Sequence, residues 1–119
     1  MKTTETMQNK NPWIAICPGI KRQTVTSGKT MYQMLATLEP GSKMPAHQHP
    51  QEQIVHILSG RMKLIVDGTP HEMKTGDSFY LAPNVPHCVE TIEETRVLDT
   101  FSPPRDEYLA IDEANRQRV

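Results

Sequence analysis

Punctuation is the feature that most restricts this chain. Ten prolines and six glycines fall among 119 residues, and few segments ahead of Asp106 are left long enough for a helix. Residues 30–38, TMYQMLATL, alternate well enough for a strand, and PGS at 40–42 turns the chain. EQIVHILSG and RMKLIVDG read as two strands hinged at Ser59 and Gly60, and DGTP at 67–70 is a two-residue hairpin signal. HEMKTGDSFYLAP gives a strand, a turn at Thr75, Gly76 and Asp77, and another strand. HCVETIEETRVLDTFSPP gives two more around Glu93 and Glu94. Strands recurring about every eight to twelve residues predict an all-β sandwich or barrel. Over RDEYLAIDEANRQRV a short helix and an extended tail both fit. Residues 1–12 are polar and read as a flexible arm, Trp13 and Ile14 as its apolar anchor, and 13–119 as one domain with a single core.

Charge narrows the partners. A formal charge of -1 leaves no basic field for nucleic acid. No apolar run approaches the roughly 20 residues of a membrane span. The opening MKTTETMQNKNPW lacks the apolar centre of a signal peptide, so the expected address is the cytoplasm, with no membrane partner. In that reducing compartment Cys17 and Cys88 are expected as free thiols.

PAHQHPQEQIVHILSG, at 45–60, raises the question of function. His47, His49 and Gln53 have one parity, so in an extended chain they share a face with Val55 and Ile57. Two residues' rise sets the imidazoles about 7 Å apart, which suits nitrogens converging on one ion at about 2.1 Å each. Chance placement on a solvated strand stays open for a lone His-x-His pair. His56 and Glu52 have the other parity: His56, like His71 beside the Gly68 turn, reads as a structural or surface residue, Glu52 as a solvated or subunit-contact carboxylate, and Cys88 as a buried thiol. A second cluster, GDSFYLAPNVPHCVE, changes the balance. Pro83 and Pro86 stiffen the backbone before His87, and the chain then offers three histidines plus one amide oxygen.

These residues resemble the cupins. Gly41, His47-x-His49, Gln53 and Gly60 have the spacing of that family's first signature, and GDSFYLAPNVPHCVET resembles its second, so the likeness covers residues 41–91. It implies a double-stranded β-helix, or jelly roll, with one divalent metal ion in the barrel mouth on His47, His49, Gln53 and His87. It also implies pairing into homodimers. Gln53 stands where the first signature usually has glutamate, and Thr91 where the second usually has asparagine. Three imidazoles and an amide are all neutral, so the ion keeps its full charge, which favours Lewis-acid work over redox work. Nickel, zinc, iron or manganese each suits such donors.

VLDTFSPPRDEYL, at 97–109, further resembles the last strand and exit of the KdgF-type cupins. Those proteins take 4,5-unsaturated uronates released by pectin and alginate lyases to their linear keto form. The resemblance implies that Asp99, Phe101 and Arg105 lie at the active site. Asp99 would move the proton, and Arg105 would grip the carboxylate of a small acidic sugar through paired hydrogen bonds. Phe101, with Met34 or Tyr32, would face the sugar. Two other functions stay open: a cupin dioxygenase, and a non-catalytic cupin that binds a sugar or other small molecule. Acid is expected to strip the metal between about pH 6.5 and 5, where ordinary imidazoles protonate.

Overall fold

The computed structural model describes residues 10–116. In chain order these form β1 (Trp13–Cys17), β2 (Ile20–Ser27), β3 (Tyr32–Leu38), β4 (Lys43–His47), β5 (Glu52–Ser59), β6 (Arg61–Val66), β7 (Thr69–Lys74), β8 (Ser78–Leu81), β9 (His87–Thr91), β10 (Thr95–Ser102) and α1 (Asp106–Arg116). A six-stranded sheet, ordered β1-β2-β3-β10-β5-β8, faces a four-stranded one, ordered β4-β9-β6-β7, as a jelly roll. The β1–β2 hairpin is the part that polarity left unread. Its second strand, IKRQTVTS, buries Arg22, Gln23 and Thr24, so no apolar alternation marks it.

Two glycines enforce the path. Asp67 and Gly68 both have positive φ, at 49° and 85°, as a two-residue turn twisted to match its strands requires. Gly60, at φ 103°, is where the chain leaves the six-stranded sheet for the four-stranded one. A Cβ there would drive into the Glu94 carbonyl oxygen and Thr95.

Register arranges the interior in rows. Phe101 lies between Tyr32 and Gln53, Asp99 between Met34 and Val55, and Val97 between Ala36 and Ile57. All nine side chains are buried. The Val97 row is apolar, and burying an aliphatic side chain of this size contributes about 1.5–3 kcal/mol. Asp99 occupies the next row, among apolar neighbours. The Gln53 row lies at the mouth.

The terminal segment is a helix. The Arg105 carbonyl accepts from the N–H groups of Tyr108 and Leu109, and Asp106 and Glu107 place negative charge in the first turn, where the helix dipole favours it. Tyr108 and Leu109 pack on Tyr32, Met34 and Phe101. No helix among the described residues is long and apolar enough to cross a membrane.

The arm expected at 1–12 lies outside the described residues except for its last three; there the Asn11 amide donates to the Thr24 carbonyl at 2.8 Å and the Asn11 carbonyl accepts from Gln23 at 2.9 Å. Two expectations need correction. Trp13 is 40% exposed on an edge strand rather than sunk in apolar surroundings, and Lys21 lies over its ring. Cys88 is only half-buried, because β9 turns His87, not its neighbour, inward.

Candidate metal centre

His47 ends β4 and pairs directly with His87 at the start of β9. His49 belongs to the connection beyond β4 rather than to the strand face the parity argument used, and Gln53 sits near the start of β5 in the opposite sheet. Ring centroids lie 4.3 Å apart for His47 and His87, 5.1 Å for His49 and His87, and 5.8 Å for His47 and His49. One nitrogen from each falls within 4.8 Å of the others. That spread is close to the roughly 4 Å span of nitrogens sharing an ion at about 2.1 Å each.

Each ring is oriented by a backbone carbonyl two residues away. Nδ1 of His47 faces Pro45 O at 2.9 Å, that of His49 faces Gln51 O at 3.0 Å, and that of His87 faces Val85 O at 3.0 Å. A carbonyl only accepts, so all three Nδ1 atoms carry the proton and all three Nε2 atoms present lone pairs. His49 Nε2 then lies 3.1 Å from Gln53 Oε1, an acceptor facing an acceptor with no donor between them. A cation against both satisfies that contact. The donor set therefore fits a divalent metal ion.

Burial keeps His87 and His49 neutral. It lowers His87 to about 4, aided by His47, His49 and Arg105 and opposed by the Val85 carbonyl. His49 is lowered in the same way, by burial first and by Arg105 next. His56 bonds Ser78 instead, and the His71 ring lies on Phe79.

The other end of the Gln53 amide donates to Asp99 Oδ1 at 2.9 Å. Burial raises this aspartate from 3.8 to about 7, although the Gln53 amide and Arg105 both pull it down. A glutamate at 53 would have no N–H to give and would set a second carboxyl against Asp99. The departure from the usual signature is thus matched by the residue behind it.

Asp99, Met34 and Gln53 line a cavity open to solvent, together with His47, Phe101 and Arg105. Its deeper wall is apolar, with Leu38, Met62 and Leu64. The corner at Pro103 and Pro104 brings Arg105 back so that its guanidinium carbon lies 4.9 Å from the Phe101 ring centre and 4.1 Å from that of Tyr108. Glu107 accepts from Nε at 3.1 Å and Nη2 at 3.0 Å. That occupies one edge of the guanidinium and leaves Nη1 for a ligand.

Tyr32, expected at the sugar face, is not part of the cavity wall. It is 1% exposed, and its hydroxyl bonds Thr24 at 2.6 Å. Tyr108, which does line the cavity, went unnoticed in the sequence because nothing there shows how α1 folds back. Thr91 holds the barrel rather than the site: its hydroxyl accepts from Ser42 at 2.9 Å.

Known proteins share the sequence pattern and the fold. The family described as Cupin domain matches residues 34–101. Over 105 residues the chain is 30% identical to the pectin degradation protein KdgF of Dickeya dadantii, spanning 87% of this chain and 96% of that protein. KdgF from Halomonas sp. superposes with a TM-score of 0.79 at 25% identity, over 86% of this chain and 96% of the other. An RmlC-like cupin from Shewanella frigidimarina NCIMB 400 shares the fold, with a TM-score of 0.80 at 24% identity over 90% and 96% of the two chains. With both signatures in place around facing antiparallel sheets, the chain belongs to the cupin family and resembles its KdgF-type members.

Proposed function

We propose that this protein is a metal-dependent isomerase that opens a cyclic 4,5-unsaturated uronate, a product of pectin or alginate breakdown, to its linear keto form. The observation that carries this reading is the line from His49 through the Gln53 amide to Asp99, with Arg105 lining the same cavity. A divalent ion held by His47, His49, Gln53 and His87 supplies Lewis acidity to oxygens of the bound sugar.

The reaction neither gains nor loses atoms. The hemiacetal hydroxyl gives up its proton, the ring C–O bond breaks as the aldehyde forms, and the released enolate takes a proton at carbon. Asp99 suits both transfers, because a carboxyl near 7 can hold or release a proton at neutral pH. With Oδ1 engaged by Gln53, Oδ2 is the atom assigned to the transfer. Arg105 binds the substrate carboxylate through its remaining edge, and Phe101 and Met34 cover the apolar face of the sugar.

Elemental analysis of the purified protein, followed by an ultraviolet assay for loss of the substrate's double bond, tests the proposal. Metal without that loss would reject it, and oxygen uptake by the iron form would put a dioxygenase in its place. A bound uronate left unchanged would point to a binding protein instead.

We further propose a homodimer. Met31, Ile54 and Tyr80 are large, exposed, and line one shallow groove with Thr100 on the outside of the six-stranded sheet, and Leu58 is exposed further along β5. A second copy would cover them.

A further inference from the structure

We propose that Asp112, on the terminal helix, is a positioning residue for the acid-binding end of the cavity, acting through Arg22 and Tyr108 on Arg105. The inference rests on the uronate reading for the identity of its ligand and deepens it.

Asp112 and Arg22 are each 1% exposed and pair at 3.0 Å, ninety residues apart in the chain. The carboxylate also accepts from the Thr24 hydroxyl at 2.5 Å, and that hydroxyl meets Tyr32 at 2.6 Å. Arg22 in turn donates from Nη2 to the Tyr108 carbonyl at 3.3 Å, and its guanidinium carbon lies 4.1 Å from the Tyr108 ring centre. Arg105 approaches the same ring at 4.1 Å. Two cations thus share one aromatic ring, and only the inner one is neutralised by a fully buried carboxylate.

Asp112 therefore does two things for Arg105. It fixes the helix turn whose Tyr108 forms the stacking wall, and it cancels a buried charge that would otherwise repel the ligand-facing guanidinium. The Arg105 carbonyl accepts from Tyr108 N–H at 3.0 Å, so residues 105 and 108 move as one piece. Stacking and the Glu107 contact then hold the planar fork before any ligand arrives, and pre-set donors bind a carboxylate more tightly than free ones. A pair that served only stability would change the melting temperature without touching ligand affinity.

The test uses the zinc-loaded full chain with two probes. Saturated galacturonate is titrated calorimetrically, and the unsaturated uronate is used for turnover. Asp112→Asn is expected to weaken galacturonate binding about tenfold and raise KM alike, with kcat and zinc content near those of the wild type. Unchanged affinity and KM in folded Asp112→Asn would overturn the inference. Should that variant fail to fold, Thr24→Val decides, because it takes a hydrogen bond from Asp112 and leaves every cavity-lining side chain in place: weaker binding supports the inference and equal binding overturns it. A wild type that binds galacturonate but converts nothing removes the proposed reaction alone, and the affinity comparison still stands. Binding of neither probe removes both.

Discussion

The side chain of Gln53 joins two groups of opposite chemistry: its amide nitrogen donates to Asp99 Oδ1 at 2.9 Å, and its oxygen lies 3.1 Å from His49 Nε2. Only an amide can serve both ends. A carboxylate could ligate an ion but could not donate to Asp99. One residue therefore belongs to the donor set for the ion and also lowers the proton affinity of the aspartate that burial has raised.

Gln53→Glu is accordingly expected to keep the metal and lose the reaction. Two carboxyl groups about 3 Å apart cannot both ionise, so one stays protonated and Asp99 loses its fixed donor. Turnover of the unsaturated uronate should fall by about 10²-fold or more, the contribution typical of a general acid–base group. Metal analysis beside the ultraviolet assay checks it, and full activity in this variant would contradict the role given to the amide.

Asp99→Asn should be inactive yet more stable. The folded protein holds the Asp99 proton up to about 7, whereas the unfolded chain releases it near 3.8. Between those values the native state binds more protons, so its stability falls as pH rises, and the loss levels off above 7. With metal removed by a chelator, the melting temperature of Asp99→Asn should exceed that of the wild type by more at pH 8 than at pH 5. A constant difference would mean that Asp99 is not desolvated.

Burial also moves the acid limit of metal binding. Ordinary imidazoles would release an ion between about pH 6.5 and 5. His87 is lowered to about 4 and His49 is lowered too, so protons compete less well for these nitrogens. Half-release is expected nearer pH 4 than 6.5, read by equilibrium dialysis with metal analysis. In the metal-free protein the sign is the same. The unfolded chain takes up a proton that buried His87 refuses, so stability drops as pH falls from 6.5 towards 4.

Ile54→Lys tests the dimer. Ile54 is exposed and lies opposite both Tyr80 and Thr100 across the strands, on the outward face of β5, while Gln53 and Val55 beside it point inward. The substitution should yield a monomer by light scattering with metal content intact. A wild type that is itself monomeric would leave the apolar face without this partner.

Alternation and turn residues by themselves determined most of the strands. A period of two and a glycine or proline at each reversal are local properties, and the paired histidine signatures are local too. They were enough to name His47, His49, Gln53 and His87 as one candidate set. The tertiary structure decided what those residues can do. Proton placement on the three imidazoles comes from carbonyls whose direction depends on the folded backbone. The Asp99 environment comes from Met34 and Val55 on strands far away in sequence. Arg22 and Asp112 read as ordinary charges in the chain, because their meaning lies in a contact ninety residues long inside the core. Polarity patterns report which way a side chain faces. They do not report which distant group meets it there, and in a low-dielectric interior that partner sets its charge.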